Sequence, residues 1–433
     1  MKANFYNLES NPMPSYFSYV HSFKLLPNLH DDSTLKTIGI QARKIQMQGC
    51  DSITDDGFRH LRGPIEELDI RKCKFLTSAI FKYLVGVKKL NMSNCHKMDA
   101  MGFKYLKGSI KQLNMSFCFM DDELIPITDQ DFRFLKGIKR LSMTRCYMET
   151  VTDKAFEPLK GYITHLDIGG CLQFTNNAFK NLLGTIKVLR MDSCRQISDD
   201  AFQYLKGTIK TLDISYCNSR GKITDKAFSY LSGIKKLRMS CCNQKSITDK
   251  AFEPLKGSIT HIDMSGCTQF TDKAFENFTG TLRKINMSGC NQKEITNIAF
   301  YNMRGSLRYL YMSDCNQSTI TDGALNPLKK TLQTLETMDC NQKEITDAFF
   351  NELYKIENLS IGACQHSGFT EELFKSLIQK GKLKRLELKL CLCRDESICR
   401  TDRLKVLLGK NFISDLCLGA KTAQYLLRFS EIN

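Results

Sequence analysis

Between Ile110 and Cys118 the chain places apolar residues at Ile110, Leu113, Met115 and Cys118, and polar ones at Gln112, Asn114 and Ser116. That alternation predicts a short strand whose Leu113 and Met115 enter a core while Gln112, Asn114 and Ser116 face the other way. After the strand the period changes. Around Ile247, Phe252 and Leu255 the apolar positions recur at helical spacing, with Thr248 placed to N-cap and Asp249 in the first turn, where an anion is favoured. Gly257 follows, able to take the left-handed conformation that stops a helix, and equivalents stand at Gly63, Gly86 and Gly108 among others. One unit is therefore a strand, a loop, a helix of about eight residues and a turn, too little to fold without neighbours.

The phrase recurs at Cys50, Cys73, Cys95, Cys118, Cys146, Cys171, Cys194, Cys217, Cys242, Cys267, Cys290, Cys315, Cys340, Cys364 and Cys391, at spacings of 22 to 28 residues. Self-similarity at that period means stacked units sharing one core, an α/β solenoid of about 15–16 repeats with a parallel concave sheet and short convex helices. The expected division is an N-terminal lead and capping partial repeat at 1–41, the solenoid at 42–399 and a C-terminal cap at 400–433. In the cap, Phe412–Leu418 reads as a last strand without the repeat Cys, and 420–429 as a closing helix.

The combination of Leu-x-Met-Ser-x-Cys with a following Ile-Thr-Asp-x-Ala-Phe, from Lys44 to Cys391, resembles the cysteine-containing leucine-rich repeats of F-box proteins, including the plant auxin receptor class. Phe156 and Phe252 stand where that family usually has Leu, a departure that thickens the convex layer. The resemblance implies a horseshoe and buried thiols. It also implies substrate recognition for a cullin-type (SCF) ubiquitin ligase, although no F-box is recognisable in residues 1–41, where Pro12, Pro14 and Pro27 punctuate an irregular lead.

Copying within the array removes one apparent site. Cys146, Cys171 and Cys194 map onto Cys242, Cys267 and Cys290 with an offset of 96 residues, and Thr152–Gly161 is identical to Thr248–Gly257. His165 and His261, which look like a spaced pair of ligands, are explained by that duplication.

Nineteen cysteines in 433 residues would mean disulfides in a secreted chain. Met1–Pro14 has no apolar signal core and no apolar run reaches the ~20 residues of a membrane span, so the expectation is a cytoplasmic or nuclear monomer with reduced thiols. Sequons at Asn91, Asn114 and Asn286 fall inside predicted strands, where a glycan would obstruct the sheet. The net charge of +16 owes much to lysines such as Lys107, Lys160 and Lys256, each just before a helix-ending Gly, which raise the charge without making a groove.

Equivalent positions of neighbouring strands form rows. One row reads Asp167, Arg190, Asp213, Arg238, Asp263, Asn286, Tyr311 and predicts an ion-pair ladder on the concave face. Arg190, Asp213, Tyr216, Arg238, Tyr309 and Tyr311 are the expected partner-binding residues, since exposed Tyr and Arg are frequent hot spots. A second candidate is the insertion Asp121–Pro126, acidic with an apolar tip. The Asn-Gln-Lys loops at Asn243, Asn291 and Asn341 read as polar rim and little more.

There is no phosphate loop, dinucleotide fingerprint, metalloprotease motif or nucleophile elbow. The one dense thiol cluster, Cys391, Cys393 and Cys399, lacks a Cys-x-x-Cys pair. The expectation is a non-enzymatic scaffold for a protein or peptide, without catalytic residues, metal or cofactor. The alternative is a binder of nucleic acid or anionic lipid, and the interspersed Asp167, Asp213 and Asp263 argue against a continuous basic track.

Overall fold

The computed structural model describes residues 6–7, 21–27, 29–39, 42–118, 125–217, 222–340, 344–351, 353–362, 376–377 and 382–389. Cys364, Cys391, Cys393, Cys399, Asn341, the insertion at 121–124 and the expected cap at 400–433 lie outside them. Two compact units are present, Met1–Asp213 and Ile214–Asn433.

In the first unit the strands are β1 (Tyr6–Asn7), β2 (Ser22–Lys24), β3 (Lys44–Gln46), β4 (Glu67–Asp69), β5 (Lys89–Asn91), β6 (Gln112–Asn114), β7 (Arg140–Ser142), β8 (His165–Asp167), β9 (Val188–Arg190) and β10 (Thr211–Asp213). Each pairs in parallel with the next, in register: Leu90 with Leu113, Leu113 with Leu141, Leu189 with Leu212. The second unit repeats the arrangement with β11 (Lys236–Arg238), β12 (His261–Asp263), β13 (Lys284–Asn286), β14 (Tyr309–Tyr311), β15 (Thr334–Met338), β16 (Asn358–Gly362) and β17 (Arg385–Lys389). Among the described residues no helix is long and apolar enough to cross a membrane.

The core is the one the periodicity predicts. Leu113, Met115 and Cys118 are buried, as are Ile247, Phe252 and Leu255 on the helical side. Phe252 packs its ring 4.8 Å from Phe270 and 5.3 Å from Phe278, so the aromatic departure builds a cluster of rings between neighbouring repeats. Many convex helices are 3-10, such as Asp153–Leu159 and Asp249–Leu255, each with an internal proline. A 3-10 helix rises about 2.0 Å per residue against 1.5 Å for an α-helix, so a short segment spans the back of the coil. Gly86 and Gly108 are left-handed at the helix ends, whereas Gly63 is not.

Three features bind one repeat to the next. Most of the described ladder thiols donate to a carbonyl of the preceding repeat, Cys118 Sγ to Met92 O at 3.0 Å and Cys267 Sγ to Met239 O at 3.1 Å. The first-turn aspartate reaches forward as well as serving its own helix: Asp249 accepts from Thr271 N at 2.9 Å and Thr271 Oγ1 at 2.7 Å. The glutamine of the Asn-Gln-Lys loops is more than polar rim, since Gln292 Nε2 donates to Cys267 O and Phe270 O at 3.2 and 3.0 Å, and its counterpart Gln317 is buried.

The residue before each ladder Cys from Cys50 to Cys340 is left-handed. Gly266 occupies that place with φ +67°, but so do Lys72, Phe117, Tyr216 and Cys241 with φ between 56° and 62°. Their backbone N–H groups donate to the following repeat, as Tyr216 N to Ser240 O at 2.9 Å. This bond offsets the roughly 1–2 kcal/mol that an L side chain costs there.

Candidate functional site

On the first unit the strand face encloses a hollow of about 400 Å³ bordered by residues of β3 to β9. Its odd strand positions are charged or polar except Val188, and its even ones close the core, as the alternation requires. Lys44 lies 2.9 Å from Glu67, and Lys89 contacts the same carboxylate. Burial pushes the Glu67 carboxyl up, but the two ammonium groups outweigh it and hold the group below its usual range. Ser116, expected on the exposed face, is buried, its Oγ 2.8 Å from Ser142 Oγ. Serines two residues past the strand face a neighbouring strand end instead of solvent.

Of the six expected binding residues, Arg190 and Asp213 lie in the first unit. They are in register on β9 and β10, yet Asp213 is only 7 % exposed and offers little surface. Arg190 is about half exposed and stands 3.7 Å from Asp167. Tyr216, Arg238, Tyr309 and Tyr311 belong to the second unit. Arg238 stands 3.8 Å from Asp263. The expected ion pairs therefore exist in both units, but they are long. The hydroxyls explain it: Thr144 Oγ1 donates to Asp167 Oδ1 at 2.7 Å, and Ser240 and Ser265 donate to Asp263 Oδ1 at 3.0 and 2.9 Å. Each carboxylate is strapped by hydroxyl donors, and the side chains of Arg190 and Arg238 are about half exposed.

Tyr309 is exposed beside Lys284, which is its register neighbour, and Lys284 Nζ sits 4.7 Å above the ring of Tyr311. Tyr216 is 55 % exposed, and its hydroxyl pairs with the Cys241 thiol. That hydrogen bond, followed by the charge of the thiol and burial, pushes the phenol above its usual value. Ile125, at the described edge of the 121–126 insertion, is exposed as expected of an apolar tip.

Two features escaped sequence reasoning. Burial first, then Asp213 and Asp167, push the Asp192 carboxyl up, which would require knowing which repeats become neighbours across the face. His165 and His261 are lowered, by burial first and then by surrounding lysines and arginines. The ladder thiols are unreactive groups: burial pushes Cys50 to about 12, Cys73 to about 11 and Cys171 to about 12. These three are protonated at neutral pH. Among the described residues no cluster of His, Cys, Asp and Glu could hold a metal ion.

A family described as BspA type leucine rich repeat region matches in six copies, over residues 109–235, 173–306 and 245–380. No curated protein matches. Among solved structures, the mouse RP105/MD-1 complex is similar at 14 % identity and a TM-score of 0.56, covering 96 % of this chain and 83 % of that one. The Drosophila Toll–Spatzle complex matches at 14 % identity and a TM-score of 0.52, over 86 % of this chain and 54 % of that one. The yeast Rad7 and Elc1 complex matches at 16 % identity and a TM-score of 0.49, over 73 % and 81 % respectively. These likenesses concern the fold, and the leucine-rich repeat expected from the sequence is borne out by the family match and by the first two of them.

Proposed function

The chain belongs to the family of BspA type leucine rich repeat regions, and from that premise we propose that it is a non-enzymatic scaffold that binds a protein or peptide on the strand faces of its repeats. One observation carries this reading. From repeat to repeat the core positions of the strand hardly change, while the outward first position runs through Lys44, Glu67, Arg140, His165, Val188 and Tyr309. Pure scaffolding needs only a soluble face. A face whose outward residues vary while its core stays constant is what recognition of irregular partner surfaces requires.

The anchors are Arg190 on the strand face of the first unit and, on that of the second, Arg238, Tyr309 and Tyr311, of which Tyr311 is half-buried with Lys284 over its ring. The protein acts as a monomer in the cytoplasm or nucleus, where its thiols stay reduced. Its narrower role is target selection for an SCF-type ubiquitin ligase, carried by the resemblance of its Ile-Thr-Asp-x-Ala-Phe phrase to F-box repeat proteins.

The test is affinity purification of the tagged chain and of a variant carrying Arg190→Ala, Arg238→Ala, Tyr309→Ala and Tyr311→Ala. Discrete partners recovered by the parent and lost by the variant are expected, and unchanged recovery moves the site off the strand faces. A cullin adaptor among the partners supports the ligase role, and its absence leaves a plain scaffold.

A further inference from the structure

The second unit carries a cavity of about 400 Å³ that is separate from the strand faces just described. It opens where each helix turns back into a strand, and its charged lining is Lys235, Arg283, Arg308, Lys330 and Lys355, with no carboxylate and no aromatic ring. All five cations are exposed, and none makes an ion pair with a described carboxylate. The nearest acidic residue along this row, Glu357, is taken by Lys384 at 2.7 Å.

The row is rigid because it extends the sheet. Arg283 N donates to Thr260 O at 2.8 Å, Arg308 N to Arg283 O at 2.9 Å, and Gln333 N to Arg308 O at 2.8 Å. From Lys235 to Gln333 are four strand spacings, so the slot is roughly 19 Å long, and a volume this small over that length leaves room for a single chain.

Its hydrogen-bonding character is one-sided. The carbonyls of Lys235, Thr260, Arg283, Arg308 and Gln333 each already accept two N–H groups from the next repeat. Hydroxyl protons are committed too: Ser258 Oγ donates to Leu255 O at 2.9 Å and Ser306 Oγ to Leu282 O at 2.8 Å. What remains is dominated by the five ammonium and guanidinium groups, beside the hydroxyl oxygens and the single Gln333 amide. A peptide would bring backbone N–H donors that find few acceptors, and a nucleic acid would bring bases that find no ring to stack on.

We propose that this slot binds a linear polyphosphate, a ligand that is anionic along its length and accepts hydrogen bonds without donating any. The neighbouring His261 senses one slot cation, since Arg283 follows burial, Lys236 and Lys284 among the causes that lower its pKa. The first unit does not duplicate the slot, because its corresponding lysines are partly engaged. Lys88 pairs with Glu66 at 3.1 Å, Lys111 reaches Gly108 O at 3.4 Å and Lys139 lies over the Tyr162 ring.

The experiment titrates the full chain with labelled short-chain inorganic polyphosphate, beside oligothymidylate of similar charge, at two salt concentrations. The expected result is selective, salt-dependent polyphosphate binding that weakens roughly tenfold or more in Arg283→Gln/Arg308→Gln, two charge-assisted forks being lost. The pair Lys111→Gln/Lys187→Gln, which removes equal charge from the first unit, should leave affinity within about twofold. Absent binding, equal binding of oligothymidylate, or equal loss in both double variants overturns the proposal. Should the arginine variant misfold, the parent protein still decides: polyphosphate should raise the His261 titration toward its ordinary value in histidine NMR, and an unmoved titration overturns the slot. This outcome is independent of whether the strand faces bind protein.

Discussion

The cysteines divide by a single positional difference. Ladder residues such as Cys171 are buried, donate to a carbonyl, and are pushed up to about 12, chiefly by burial. Cys241 stands one residue before a ladder cysteine, partly exposed, with φ +56°. Thiol reactivity follows thiolate fraction and access, so among the described cysteines a maleimide should label Cys241 first in the native protein, with peptide mapping as the check. Early labelling of Cys171 or Cys267 would show that the repeats open more easily than their packing implies. Because the Cys241 thiol is the first cause of the raised Tyr216 phenol, Cys241→Ala should bring that phenol back toward its ordinary titration, measured by ultraviolet difference spectra. The ladder was legible in the sequence because burial follows period. The left-handed conformation of Tyr216 and Cys241 was not, because it is set by a carbonyl of the next repeat and not by local propensity.

The convex element shows the same limit in a motif that was otherwise read correctly. Thr248 caps its helix as expected, its Oγ1 accepting from Lys250 N at 3.3 Å. What sequence reasoning assigned to Asp249 was the helix dipole, whereas its two carboxylate oxygens also hold Thr271 of the following repeat. The spacing of 22 residues between the two hides the link from any local window. Replacing Asp249 with Ala removes both acceptors and leaves Thr271 N–H without its bond, a cost of about 1–3 kcal/mol. Replacement with Asn should cost less, because natural repeats already use that residue: Asn297 Oδ1 accepts from Thr321 N at 3.0 Å and its Nδ2 donates to Thr321 Oγ1 at 2.8 Å. Chemical denaturation of the two variants tests the ranking. If Asp249→Asn and Asp249→Ala prove equally destabilised, the charge at the helix start outweighs the link between repeats.

At the scale of the whole chain, the +16 charge looked diffuse in the sequence because each lysine had a local explanation. Stacking changes that: Lys235 and Lys355 lie 120 positions apart and line one slot. The charge also sets a pH response. In both units a threonine hydroxyl donates to a carbonyl, Thr164 to Lys139 O at 3.1 Å and Thr260 to Lys235 O at 2.9 Å, so each oxygen is left to accept from the adjacent histidine Nδ1. The neutral ring is thereby held with Nε2 as its proton acceptor, while burial and neighbouring cations lower the pKa of His165 and His261 below 6.5. An imidazole lowered in the folded state binds fewer protons than in the unfolded chain. Its stabilisation is complete above the ordinary value and is lost as the pH falls from there through the folded value. Glu67, also lowered, loses its contribution only below 4.5, and Asp192, raised above 3.8, works in the opposite sense. The melting temperature should therefore decline as the pH falls below the ordinary histidine value of 6.5, above the range in which Glu67 loses its contribution. In His165→Gln/His261→Gln that decline should flatten while the drop below pH 4.5 remains. An unchanged slope in the double variant would place the acid sensitivity in other groups and remove the histidines from the account.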